Sequence, residues 1–186
     1  MILVRQFAGF VLLLAISTGC ESTYSEKNVT TEPPPLLRST SRIYIAIPFD
    51  ATFKKVVAHG SGKQTAQALF VAFSRYTKSV SFGKFPESAS EALDSARSMN
   101  AEFLAYPNLI RWEDRATEFT GIRDQLELKI DLVNLSDNKL VFSREIQATG
   151  KWMSDGGQTP NDLLQQPIEE YVNALFRRLE TPSALW

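Results

Sequence analysis

From Ile43 onward the apolar positions of the chain switch between two rhythms, one of period two and one near 3.6, and the switches mark out its elements. Ile43-Tyr44-Ile45-Ala46-Ile47 is short, β-branched and ended by Pro48, which predicts a buried strand. A loop over residues 49–62 follows. Across residues 64–76, Thr65, Ala68, Leu69, Ala72, Phe73 and Tyr76 recur at helical spacing and predict an amphipathic helix with a small-residue face suited to a sheet. Residues 80–82 predict a short second strand. Ser88 or Ser90 can cap a second helix, in which Ala89, Ala92, Leu93, Ala96 and Met99 share one side and Asn100 is the terminator.

Residues 103–112 read as the next strand, apolar through Phe103-Leu104-Ala105-Tyr106 as expected where both faces are covered. A polar segment, residues 113–121, comes after it. Leu126, Leu128, Ile130 and Leu132 alternate with Glu127, Lys129 and Asp131, the mark of a strand with one wet face. Ser136-Asp137-Asn138 turns the chain, and residues 140–148 return as its hairpin partner. Beyond a loop at residues 154–158, Leu164, Ile168, Tyr171, Val172, Leu175 and Leu179 form the stripe of a last helix, with Pro167 marking its start or a kink. The order β-α-β-α-β-β-β-α predicts an α+β fold: one domain with a mixed sheet and helices packed mainly on one face.

The residues ahead of this domain change the picture of where it works. Met1 and Arg5 give a short positive start, residues 7–16 an apolar run, and Ser17-Thr18-Gly19-Cys20 a small-residue stop, the pattern of a secretory signal ending in a lipobox. The run falls well short of the roughly 20 apolar residues a spanning helix needs. Cys20 is the only cysteine, so no disulfide framework is possible, and its place after Gly19 makes it the expected lipidation site. Ser17 departs from the usual pattern, which favours Leu there. Glu21 stands where an inner-membrane retention signal would have Asp, so the expectation is the outer membrane, periplasmic face. The expected divisions are a signal peptide at 1–19, a lipidated disordered tether at 20–42 that includes Pro33-Pro34-Pro35, a periplasmic domain at 43–180 and a tail at 181–186.

Residues 1–19 hold Arg5 as their only charged side chain, so without them 19 basic residues face 21 acidic ones. No basic surface for nucleic acid is predicted, and no basic run resembles a polybasic membrane patch. Membrane contact is therefore expected through the lipid on Cys20.

Gly60-Ser61-Gly62-Lys63-Gln64-Thr65-Ala66 at a helix start, Trp112-Glu113-Asp114-Arg115-Ala116-Thr117-Glu118, and the hairpin over residues 126–150 together resemble a family of small Gram-negative lipoproteins catalogued as a domain of unknown function. The resemblance covers nearly the whole domain, and the Trp112–Thr117 stretch is its most specific piece. The element order is more distantly similar to periplasmic domains of the curli-export lipoprotein, of lipoprotein activators of peptidoglycan synthases, and of the Tol-system propeller protein. These resemblances imply no catalytic residue and no cofactor.

The residues themselves agree on the chemistry. His59 is the only histidine, which excludes multi-histidine zinc sites and makes any Ser-His-Asp arrangement depend on one loop residue. His59-Gly60-Ser61-Gly62-Lys63 is a candidate ligand or anion loop, since glycine-rich turns at helix starts aim amides at anions. It departs from the phosphate-loop pattern, with Val57 where the first glycine belongs and Gln64 where Ser or Thr should bind magnesium. Its alternative is a plain tight turn. Glu113, Asp114 and Glu118 could suggest a metal, but strand alternation favours solvated ion pairs with Arg123 or Lys129, so no metal is expected. Trp112, Glu113, Asp114, Arg115, Phe119 and Trp152 form a candidate interaction surface. The expectation is a non-enzymatic binding or scaffold module for an envelope protein or peptidoglycan. The alternatives are a hydrolase or nucleotide-binding protein using the His59–Lys63 loop, and a subunit that self-assembles through an exposed hairpin edge.

Overall fold

The computed structural model describes residues 22–114, 123–151 and 159–176. Among these, the chain forms β1 (Thr23–Asn28), β2 (Ile43–Ile47), β3 (Thr52–Phe53), β4 (Val56–Val57), α1 (Ser61–Ser74), β5 (Val80–Pro86), α2 (Ala89–Ser98), β6 (Phe103–Glu113), β7 (Gln125–Asn134), β8 (Lys139–Thr149) and α3 (Gln165–Phe176). From β2 onward, with the small β3–β4 hairpin set aside, the order is the expected β-α-β-α-β-β-β-α. The main sheet runs β1-β8-β7-β6-β2-β5, with β2 parallel to both of its neighbours and the other pairs antiparallel.

Burial explains the sequence rhythms. Leu126, Leu128, Ile130 and Leu132 of β7 point to one sheet face and join Leu69 and Phe73 of α1 with Ile168, Tyr171 and Leu175 of α3 in the main core. The other face carries a smaller core in which Tyr44, Ala46 and Leu104 meet Ala92 and Ala96 of α2. Strand β2 lies between the two, so all five of its residues are buried and its pattern is continuous. Pro167 sits in the first turn of α3.

Of the two caps the sequence allowed for α2, Ser88 and Ser90, the structure uses Ser88, and Glu91 completes a capping box. The Ser88 hydroxyl faces the Glu91 amide at 3.5 Å, and the Ser88 amide donates to the Glu91 carboxylate at 2.8 Å. The Ser88 hydroxyl also donates to this carboxylate at 2.6 Å, and that bond, then the one from the amide, holds the Glu91 carboxyl below its ordinary pKa. Asn100, with φ of 53°, ends the helix as expected. Ser88→Ala is expected to cost about 1 kcal/mol of stability, measured by denaturant titration.

Under α2, the Tyr44 hydroxyl donates to both oxygens of Glu87 at 2.9 and 3.0 Å, and the Ser95 hydroxyl donates to the same carboxylate. Burial, then the Glu87 carboxylate, pushes Tyr44 up to about 12, so it stays a donor at any physiological pH.

The expected tether over residues 20–42 is corrected by the structure at residues 23–28 and at Leu37. Residues 23–28 form β1 and pair in full register with β8, from Thr23 opposite Thr149 to Asn28 opposite Arg144. Leu37 is buried in the main core, and its amide donates to the Leu175 carbonyl at 2.7 Å. The reason is a partner that composition does not reveal. Arg144 of β8, itself nearly buried, pairs with Glu26 at 2.7 Å and donates to the Asn28 side chain at 3.0 Å.

Smaller differences have local causes. α1 begins three residues earlier than its apolar spacing implies, and β5 runs on to Pro86. The loop over residues 49–62 contains the β3–β4 hairpin, turned by Lys54 and Lys55, both with positive φ (48° and 70°).

Candidate functional site

Strand β2 pairs with β6 only through Phe103–Ala105, so the rest of that β6 edge is left to other partners. The β3–β4 hairpin packs there, with the Arg111 guanidinium 5.3 Å from the Phe53 ring centre. A bulge between Leu109 and Arg111 resets the alternation of β6. It places Trp112 opposite Leu126 on the core side, where it is buried. Arg111 then donates to the Gln125 side chain at 2.6 Å and approaches Glu113 at 3.5 Å.

The start of α1 comes to the same place. Gly60 is left-handed, with φ of 85°, a conformation its lack of Cβ permits. Its amide donates to one oxygen of Asp50 at 3.0 Å, and the Gly62 amide donates to the other at 2.9 Å. The Ser61 hydroxyl accepts the Ala51 amide at 3.0 Å. Asp50 therefore occupies the anion position at the helix N-terminus, and this capture from upstream is why α1 starts at Ser61. A Cβ on Gly62 would collide with the Pro48 carbonyl oxygen, so this glycine serves a close backbone approach.

Between these parts lies an open cleft of about 750 Å³. Phe53, Lys54, Val56 and Val57 of the hairpin form one wall, and His59, Ser61 and Gln64 another. Trp112, Glu113 and Asp114 line it from β6, and Thr159, Pro160 and Asn161 from the turn before α3. Two groups singled out in the sequence are thus brought together: His59 and Ser61 of the loop, and Trp112, Glu113 and Asp114 of the candidate surface. Gly60, Gly62 and Lys63 stand behind the cleft and do not line it. Cys20, Arg115, Phe119 and Trp152 lie outside the described residues.

The expected solvated pairing of the acidic group is corrected in one respect. The Glu113 side chain is only 3% exposed, and it forms an ion pair with Arg111 on its own strand, while Lys129 reaches Asp131, at 3.2 Å. The bulge, invisible in the sequence, sets this geometry. The Ser61 hydroxyl is buried and bonded to a backbone amide, and it makes no hydrogen bond with His59, so no nucleophile–base pair forms here. Among the described residues, no three His, Cys, Asp or Glu side chains converge as a metal would require. The sequence reading missed the hairpin, the Asp50 cap and the 159–161 turn as parts of the site. Of these, Asp50 had a usable signal, an acid in the loop between a strand and a glycine-rich helix start.

Sheet, helices and cleft define a small α+β domain with two helices on one sheet face, one on the other, and an open polar–aromatic recess at one sheet end. The chain belongs to the family described as a domain of unknown function, DUF4823, whose model matches residues 36–175. This is the kind of family that the Trp112–Thr117 stretch and the hairpin suggested. No curated protein matches the chain by sequence. Among solved structures, the fold is similar to that of the PelC dodecamer from Paraburkholderia phytofirmans, with 17% identity and a TM-score of 0.64 over 85% of this chain and 99% of that one. It is also similar to protein XCC0632 from Xanthomonas campestris, a DUF330 protein, with 14% identity and a TM-score of 0.50 over 79% of this chain and 90% of that one. The LpoB C-terminal domain from Salmonella enterica is a looser likeness, at 14% identity and a TM-score of 0.38 over 62% and 86% of the two chains.

Proposed function

We propose that the protein is a lipoprotein anchored through Cys20 on the periplasmic face of the outer membrane, and that its domain is a non-enzymatic module binding another envelope component through the cleft. The observation that carries this reading is the cleft itself. It gathers exposed apolar, amide and charged side chains around a recess, while the groups best suited to catalysis or phosphate binding, Ser61 and the Gly60 and Gly62 amides, are bonded within the fold. The lipobox at Ser17–Cys20 supports the anchor.

The test is in-cell crosslinking of the intact protein with mass spectrometry of what it captures, beside Cys20→Ser and Asp114→Lys. A discrete envelope complex is expected, weakened by about tenfold or more in Asp114→Lys if that exposed carboxylate sits near the contact centre. Capture unchanged by Asp114→Lys removes the cleft from the contact. Capture unchanged by Cys20→Ser removes the anchor.

A second reading, self-assembly, cannot use the β7–β8 hairpin edge expected from the sequence, since β1 and β6 cover its two sides, but two observations favour another edge. β5 is an open sheet edge whose Phe85 is 74% exposed, and the similarly folded PelC is a dodecamer. Light scattering over a range of concentrations decides it: a single monomeric mass throughout excludes this reading.

A further inference from the structure

The strand register fixes where the chain enters the domain. Thr23 lies opposite Thr149, Thr149 opposite Gln125, and Gln125 opposite Glu113. This row crosses the sheet from the first described strand to the cleft in three strand spacings, roughly 14 Å. β2 runs parallel to β6, so the Asp50 loop, the hairpin and the start of α1 stand at this same end. The β7–β8 turn and exposed Leu140 lie at the other.

Only Glu21 and Ser22 separate Cys20 from Thr23, a reach of roughly 10 Å when fully extended. With β1 docked, a lipid on Cys20 would hold the cleft end of the domain against the bilayer. That end carries exposed apolar side chains: Phe49 is 61% exposed, Val56 71% and Val57 40%. Lys54 and Lys55 crown them at the hairpin tip, both in left-handed backbone that non-glycine residues rarely adopt. Apolar side chains beside lysines are the chemistry of a contact with the headgroup layer of an anionic membrane. Among the described carboxylates nearby, Asp50 is bonded to two amides and Glu113 to Arg111, while Asp114 is exposed at the rim.

We propose that the β3–β4 hairpin is a second, non-covalent membrane contact, with Phe49, Val56 and Val57 entering the headgroup layer and Lys54 and Lys55 on the phosphates of anionic phospholipid. The cleft would then open at the bilayer surface. The orientation rests on the lipid-anchor reading; the chemistry of the hairpin does not.

The test uses the full lipidated protein in phosphatidylethanolamine vesicles with and without phosphatidylglycerol, and a photo-crosslinking residue at Val56 or Leu140. Phospholipid adducts are expected at Val56 and not at Leu140. They should rise with phosphatidylglycerol and fall about tenfold in K54E/K55E, which leaves the core untouched. Equal adducts at the two positions, or a Val56 yield indifferent to both the lipid and the lysines, overturn the proposal. A Val56 crosslink in cells that captures protein in place of lipid also overturns it, and assigns this wall of the cleft to the partner of the proposed function instead. Palmitate labelling of Cys20 is read on the same sample. Without it the anchor reading fails, while vesicle binding lost in K54E/K55E would still sustain the hairpin contact.

Discussion

Gly62→Ala is expected to lower stability by about 3 kcal/mol and the melting temperature by roughly 10 °C, measured by thermal and denaturant unfolding. The new Cβ would stand 3.1 Å from the Pro48 carbonyl carbon and closer still to its oxygen. Both partners are backbone, so neither can swing aside as a side chain would. Relief requires moving the start of α1 off the end of β2, which breaks the Asp50 bonds to the Gly60 and Gly62 amides together. The Asp50→Ala protein separates the two effects. It removes the acceptor without the clash, and is expected to lose about 2 kcal/mol through the stranded amides. If Gly62→Ala proves no worse than Asp50→Ala, the close approach to Pro48 is not what the glycine serves.

The second large effect is expected at Arg144. Its guanidinium lies over the Phe142 and Tyr171 rings at 5.3 and 6.0 Å, and faces Glu26 on β1. Arg144→Met keeps much of the packing and removes the charge, leaving Glu26 uncompensated, at a cost of about 3 kcal/mol near neutral pH. Burial pushes the Glu26 carboxyl above its ordinary pKa, Arg144 pulls it down, and Glu170 pushes it up again. A raised folded-state value means that Glu26 supports the fold fully below the ordinary carboxylate range, and that this support is lost as pH rises through the raised value. Without Arg144 that value rises further. The gap between wild type and variant should therefore narrow on acidification, and E26Q/R144M should recover most of the loss at neutral pH. A gap constant across pH would assign the cost to packing alone. Hydrogen exchange at the amides of β1 reads the same event locally, with protection falling there before it falls in β7.

Most of the sheet and the three helices among the described residues were legible because burial imposes period on sequence. β7 shows the clean alternation of a strand with one wet face, β2 the unbroken apolar run of a strand covered twice, and α2 a serine cap ahead of the Ala92–Ala96 side. β1 was not legible. Its one large core-facing apolar residue is Tyr24, and what holds it is backbone pairing plus an arginine supplied from β8. The β3–β4 hairpin was hidden because its turn is Lys-Lys, where Asn-Gly would have announced it. The early start of α1 escaped because its cap comes from Asp50, in the preceding loop, and not from the residue before the helix. The cleft was read as two unrelated halves, around His59 and around Trp112. Their meeting depends on β2 stopping short along β6 and on the bulge at Ile110, and neither leaves a mark in composition or spacing.

The β1–β8 ladder also sets an order of events in time. β1 is the first of the described strands to leave the ribosome, yet the residues it pairs with, Arg144 to Thr149, are nearly the last of the sheet. A contact that spans so much of the chain closes late. Until β8 has arrived and folded onto β7, residues 23–28 have no partner and stay extended and accessible. The start of β1 therefore stays reachable through the whole synthesis of the chain, and is drawn against the domain only when the rest of the sheet is complete.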